Sequence, residues 1–388
     1  MARRRGPVLG MSGDRPGVLL ASRGLIATVL AGALVLLLAS QSAWAAPYVQ
    51  GEDLPECVGT GGGLVLSADG GTAVVGGGPL GVAPTCIYVA SDGAWREQAE
   101  LPVEVTPAAL SADGDTLLAN IVDREVVYVR SGETWTQQAA LGKPPPLGGE
   151  VDQALSADGN TAVVNYKEAG VLIAEVFTRS GETWSESARL IPVKTFHLGG
   201  CESQPVALSA DGDEALVSDT CYAEGRGGVF VFTRSGTTWT RQALLRGSKR
   251  SEYFGQRIAL SENGETAIIG TANGTRTFVR GRNRWVEQEE QVSGHDGVGC
   301  YIGPFALSGN GSTELILEGS NCPVKLDVFM RSGRRWTESE TLPFREVEKP
   351  EAPPGSLVVS ENGDTVLADQ EFDYLSGTPI FRTTVWTR

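Results

Sequence analysis

Histidine is almost missing from this chain: there are two residues, His197 and His295, among 388. They fall in separate, non-neighbouring copies of the internal repeat described below, so they do not make a metal or catalytic pair. No Ser-His-Asp relay can be assembled either, because that needs an acid-held histidine within reach of a nucleophile, and His295 with Asp296 has no such serine nearby. Long apolar runs are missing too. The longest, Leu25 to Ala39, has 15 residues, short of the roughly 20 that span a bilayer. Basic residues are in deficit, 32 against 47 acidic, for a net charge of −15. That balance disfavours nucleic acid and anionic membranes and favours solubility or cationic partners. No 3.6-residue apolar period is present, which excludes helical repeats, and no phosphate loop or dinucleotide fingerprint sits between a strand and a helix.

Turn chemistry is abundant instead, with 50 glycines and 20 prolines. In Val206 to Leu245, four short apolar runs are separated by turn residues, the pattern of consecutive antiparallel strands. Val206-Ala207-Leu208 is followed by the turn Ser209-Ala210-Asp211-Gly212, where glycine accepts the positive φ of a tight hairpin. Ala215-Leu216-Val217 returns. Val229 to Arg234 then alternates, turns at Ser235-Gly236, and comes back through Trp239 to Ala243.

The same Ser-x-Asp/Asn-Gly turn recurs at Ser67, Ser111, Ser156, Ser209, Ser261, Ser308 and Ser360, at intervals of 44, 45, 53, 52, 47 and 52 residues. Four strands in about 45 residues is one propeller blade. The spacing therefore predicts an all-β fold, a seven-bladed β-propeller of four-stranded antiparallel blades. The domain covers 46–388, with blades starting near 58, 105, 151, 204, 256, 303 and 356. The fourth-strand Trp appears six times, as Trp95, Trp135, Trp184, Trp239, Trp285 and Trp336, and the seventh copy stops after its third strand at Val385-Trp386-Thr387-Arg388. Tyr48 to Leu54 has the Trp-to-Leu spacing of the other fourth strands. It is expected to complete the last blade and close the ring, which leaves no sheet edge unpaired.

Phe254-Gly255-Gln256-Arg257-Ile258-Ala259-Leu260-Ser261, with Asn263-Gly264 and Ala267 to Gly270 after it, resembles the FG-GAP repeat of integrin α-chains and of secreted or surface-displayed bacterial proteins. The resemblance covers residues 48–388 and implies a seven-bladed propeller. Only the fifth copy keeps the Phe-Gly pair, and none has the closely spaced Asp-x-Asp-x-Asp loop that binds calcium in some integrin blades. The corresponding turn offers Ser209, Asp211 and Asp213, too few carboxylates for a site of about six to eight oxygens. No cofactor is expected; calcium is the one alternative.

Residues 1–45 read as an export signal, with five arginines ahead of the apolar run and Ala43-Trp44-Ala45 at the cleavage positions. An uncleaved anchor is the alternative, and Met11 is an alternative start. Cleavage would leave 27 basic and 46 acidic residues, net −19. The chain is then expected to be secreted or held at the cell surface, without stable membrane insertion, and monomeric. Six cysteines fall as Cys57 with Cys86, Cys201 with Cys221, and Cys300 with Cys322. Each pair joins the entry of a blade to the loop between its second and third strands, and these emerge on one face, so three within-blade disulfides are expected. Zinc would need clustered ligands, and these pairs lie in separate blades.

The arginine that ends each third strand (Arg130, Arg179, Arg234, Arg280, Arg331, Arg388) is read as bonding within its blade to Asp113, Asp158, Asp211, Asn263, Asn310 or Asn362, with an anion-binding ring as the alternative. The Trp set is read as packing between sheets, with a sugar platform as the alternative. Function on a rigid scaffold usually sits in loops. His197, Glu202, Tyr222, Tyr253, His295, Asp296 and Tyr301 are candidates on the disulfide-bearing face, and Asp152, Gln153, Gln204, Gln256 and Arg257 at the channel mouth. The expectation is a non-catalytic propeller that binds a protein or glycan through that face. The competing reading is an exported hydrolase or lyase acting on polysaccharide, with acids such as Asp152 and Glu202 at the channel mouth. A purely structural surface protein is a third.

Overall fold

The computed structural model describes residues 46–54, 63–77, 83–121, 124–142, 152–192, 204–247, 254–271, 274–282, 284–292, 301–319, 324–343, 355–375 and 378–388. The expected signal segment, 1–45, lies outside them. Seven four-stranded antiparallel sheets follow one another along the chain, six of them built from four consecutive strands. Blades 1 to 7 span 64–101, 105–141, 153–190, 206–246, 258–292, 301–342 and 357–387. Blade 4 shows the pattern, with Val206–Leu208, Glu214–Asp219, Gly228–Ser235 and Thr238–Arg246 paired in order.

The Ser-x-Asp/Asn-Gly turn explains why each blade starts as it does. Ser156 Oγ donates to Asp158 Oδ1 at 2.6 Å and accepts the Thr161 N–H at 2.9 Å, and the same Asp158 oxygen accepts the Asn160 N–H at 2.9 Å. The turn is thus pinned by its own side chains. Gly159, at φ +65°, completes it, and a Cβ there would stand 2.8 Å from Thr116 of the preceding blade. Glycine is needed both for the backbone conformation and for the approach of the next sheet.

These turns also join to each other. Ala68 donates its N–H to the carbonyl of Ala112, Ala112 to Ala157, Ala157 to Ala210, Ala210 to Glu262 and Glu262 to Gly309. Asn310 donates to Glu361, and Glu361 returns to Ala68. One end of the channel is thereby encircled by a closed ring of backbone hydrogen bonds.

No single core fills the molecule. Among the described residues, seven apolar clusters each lie between two neighbouring blades, for example Val163, Leu172, Val176, Val217 and Phe230 between blades 3 and 4. The fourth-strand tryptophans pack into these interfaces: Trp135 and Trp336 are buried, while Trp95, Trp184, Trp239 and Trp285 are partly so. The packing reading of the Trp set stands.

Ring closure follows the expected route. Val49–Gln50 pairs with the last strand, Val49 opposite Thr387 and Gln50 opposite Trp386. Gly51 and Leu54 continue the bonding to the carbonyls of Val385 and Thr383. Tyr48 stands in for the missing tryptophan: it joins the cluster between blades 6 and 7, and the Arg388 guanidinium lies 4.7 Å from its ring centroid. Arg130, Arg179, Arg234 and Arg280 stack on Trp135, Trp184, Trp239 and Trp285 at 5.6 to 5.9 Å, a favourable cation-π arrangement.

The arginine partners differ from the expected ones. Arg130 bonds Asp115, Arg179 bonds Asn160, Arg234 bonds Asp213 and Arg388 bonds Asp364, two residues beyond the turn Asp or Asn. The reason is register. The arginine N–H already donates to the carbonyl of that later residue, whereas the turn Asp or Asn is occupied by its own serine. Arg280 reaches instead to Glu214 of the preceding blade, and Arg331 to Thr266. Glu214 occupies the column that holds threonine in the other six copies.

Candidate functional site

The residues that open the first strands converge at the end of the channel opposite the turn ring. There they line a cavity of about 430 Å³, inside the roughly 300–1,000 Å³ range of small-molecule sites. Blade 1 contributes Gly63 and Leu64, blade 2 Pro107 and Asn120, blade 3 Asp152 and Gln153, blade 5 Arg257, blade 6 Pro304 and Phe305, and blade 7 Ser356 and Leu357. In blades 2 and 6 the innermost strand carries a proline at a register shift, between Pro107 and Ala109 and between Ile302 and Phe305, where the ladder is locally interrupted.

A column in the second strand holds the rim together. At the fifth residue of that strand or its equivalent, Asn120, Asn165 and Ser218 are polar, and each bonds to the entry of the following blade. Gln153 Nε2 donates to Asn120 Oδ1, Asn165 Nδ2 to the Gln204 carbonyl, and Ser218 Oγ to the Gly255 carbonyl at 2.6 Å. Asp369 takes the same position in blade 7. It is buried, bonded by Thr383 at 2.7 Å, and pushed up to about 6 by burial, with Thr383 and Ser356 pulling the other way. Aligning the repeats would have shown this polar column, but not which atoms it reaches.

Asp152 is part of the rim. Its Oδ1 accepts the Gln153 N–H at 3.0 Å and its Oδ2 accepts the Val206 N–H of blade 4 at 3.0 Å, while Asn165 Oδ1 accepts its own N–H at 2.8 Å. Both oxygens of this carboxylate are thus engaged by backbone donors of blades 3 and 4. Gln153 is 5 % exposed, its Nε2 engaged by Asn120 and its Oε1 buried without a partner. Arg257 is exposed to the cavity. The surrounding walls draw its guanidinium below the ordinary arginine range, and the Asp152 charge opposes this.

Of the five channel-mouth candidates, Asp152, Gln153 and Arg257 line the cavity. Gln204 is buried beneath the rim, and Gln256 is exposed outside the lining. Among the face candidates, Tyr222 packs edge-to-face on Phe230 at 5.3 Å under the Arg246 guanidinium, which makes it a packing residue. His197, Glu202, Tyr253, His295 and Asp296 lie outside the described residues, as does the Tyr301 side chain. The calcium alternative meets a turn already in use, since Ser209 and the Asp213 N–H bond Asp211, and Arg234 bonds Asp213. Cys86 and Cys221 are not free thiols, and the other four cysteines are outside the described residues.

At the opposite end, Glu262 and Glu361, from blades 5 and 7, share a hydrogen bond, and burial followed by the Glu361 charge pushes Glu262 up to about 7. Two adjacent carboxyls cannot readily both ionise.

No family model matches the chain, and no curated protein matches it. Solved structures do. The Pseudomonas aeruginosa periplasmic gluconolactonase shares 15 % identity over 79 % of this chain and 95 % of its own, with a TM-score of 0.51. Kuenenia stuttgartiensis hydrazine synthase shares 13 % over 88 % and 99 %, TM-score 0.55, and a Lactobacillus plantarum protein 15 % over 78 % and 91 %, TM-score 0.52. At such identities the likeness is one of fold alone.

Proposed function

We propose that this chain is a secreted or cell-surface propeller, monomeric and non-catalytic, that binds a protein or glycan partner through the face bearing the blade-linking loops and the channel mouth. The observation that carries this reading is the state of Asp152. The one carboxylate among the described residues of the cavity has both oxygens committed to backbone N–H groups of blades 3 and 4, whereas a glycosidase needs two available carboxyls across the bond. Pairing of Cys57 with Cys86, Cys201 with Cys221 and Cys300 with Cys322 belongs to the same proposal and would brace that face. So does kinship with FG-GAP proteins. Its support is the Phe254-Gly255 pair: Phe254 is fully buried against Phe278, and Gly255, at φ +91°, leaves no room for a Cβ beside Ser218.

The hydrolase or lyase reading keeps one support, an open cavity beside an acid on a fold that also serves a gluconolactonase. A panel of acidic and neutral polysaccharides separates the two readings, with retention of the 46–388 unit and release of reducing ends or unsaturated products both recorded. Retention without release is expected. Release that Asp152→Asn abolishes would replace the binding reading with the enzymatic one.

A further inference from the structure

Six arginines at the third-strand ends are consumed by turn acids, amides, hydroxyls or a neighbouring blade's glutamate. Arg257 is different. Its guanidinium donates no hydrogen bond among the described residues, and the nearby Asp152 spends both oxygens on backbone donors. An exposed cation therefore faces a concave, walled space with no salt bridge among the described residues, and the Asp152 charge acts on it only through space. In the same cavity Gln153 presents a buried acceptor, Oε1, that has no donor, an unfavourable state unless a ligand or water supplies one. Phe305, Pro304 and Pro107, from the neighbouring blades, line the same cavity.

We propose that the channel mouth recognises a small hydroxylated monocarboxylate, with Arg257 holding the carboxylate and Gln153 Oε1 accepting a hydroxyl proton. Arginine's planar fork matches a carboxylate in a way that a point charge does not. The carboxamide rim of Gln153 and Asn120 suits hydroxyls, and the proline and phenylalanine wall suits the carbon skeleton. Net charge limits the anion: a chain at −15 repels a polyanion over its whole surface, while one carboxylate is met locally by Arg257, within about one Debye length of 8 Å. The proposal rests on the binding reading above and names the chemistry its site would take.

The test is calorimetric titration of the 46–388 unit with D-glucuronate and with L-lactate, against D-glucose and propionate, which each lack one of the two groups. Saturable binding of a hydroxylated carboxylate is expected, tighter than that of either control. Arg257→Gln should weaken it by about 10- to 100-fold, and Arg257→Lys by less. The melting temperature should not move, because the side chain is exposed. Glucose binding equal to glucuronate binding, or affinity unchanged in Arg257→Gln, would overturn the carboxylate assignment and leave the binding reading standing. Absence of saturable binding by both hydroxylated carboxylates would also overturn it, while polysaccharide retention still scores the wider reading. Conversion of a probe, followed by NMR in the same samples, would sink the non-catalytic reading, and the site would stand if Arg257→Gln still weakened binding.

Discussion

At the residue scale, the buried acids set this protein's response to pH. Glu314 of blade 6 is fully buried, receives Thr275 Oγ1 on one oxygen, and has its other oxygen without a partner. Burial pushes it up to about 8, with Thr275 opposing. Glu214 is pushed up to about 7 by burial against the pull of Arg280, and Glu262 and Asp369 rise as well. A carboxyl whose folded value exceeds its unfolded one stabilises the fold fully below the unfolded value, near 4, and that stability is lost as pH rises through the folded value. We therefore predict a melting temperature that falls between pH 5 and pH 9. Glu314→Gln should flatten that fall and raise stability at pH 9 by at least about 1.4 kcal/mol, one unit of pKa. A Glu314→Gln profile parallel to the parent would show that this carboxyl is not the group responsible. Repeat alignment exposes Glu214 and Glu314 as departures from a threonine column and an apolar column. It does not expose Arg280 as the partner of Glu214, because that contact crosses between sheets.

At the element scale, the strand Val49–Gln50 and its flanks carry the closure. Tyr48 is 8 % exposed, donates its hydroxyl to the Gly363 carbonyl, and lies under Arg388. Tyr48→Ala should cost about 3–5 kcal/mol, the range for losing a buried aromatic, whereas Tyr48→Trp, which restores the residue of the other blades, should cost far less. Denaturant midpoints at fixed slope measure both. Removing residues 46–54 altogether would bare the edge of the last strand, and light scattering should then report association. The closing strand was legible because an aromatic-to-leucine spacing repeats. The rim column was legible only in part: aligning the repeats puts Asn120, Asn165 and Ser218 in one column, but their bonds appear only when the next blade's entry is placed against them.

For the whole molecule, seven wedge-shaped interfaces share the stabilisation. Among the described residues, the one between blades 5 and 6 has the fewest buried apolar residues, Ile268, Ile316, Phe329 and Trp336, with Ala259, Phe305 and Leu307 partly buried against them, beside the buried Glu314, Thr275 and Thr277. The proposed disulfides would close loops of 20 to 29 residues and stabilise by about 3 kcal/mol each. A reductant should therefore lower the melting temperature, and a non-reducing peptide map should show Cys57 linked to Cys86, Cys201 to Cys221 and Cys300 to Cys322; any cross-blade link would refute the within-blade pairing. The sequence by itself determined the strand order, the number of blades and the partner that closes the ring. All three follow from local turn chemistry and from a period that each copy repeats. Only the tertiary structure decided which arginine meets which acid, that Asp152 is spent on holding two blades together, and that Arg257 and Gln153 face one cavity. The arginine pairs within a blade depend on strand register, and the other relations join residues from different blades, at distances set by sheet twist and packing around the axis, which no single repeat encodes.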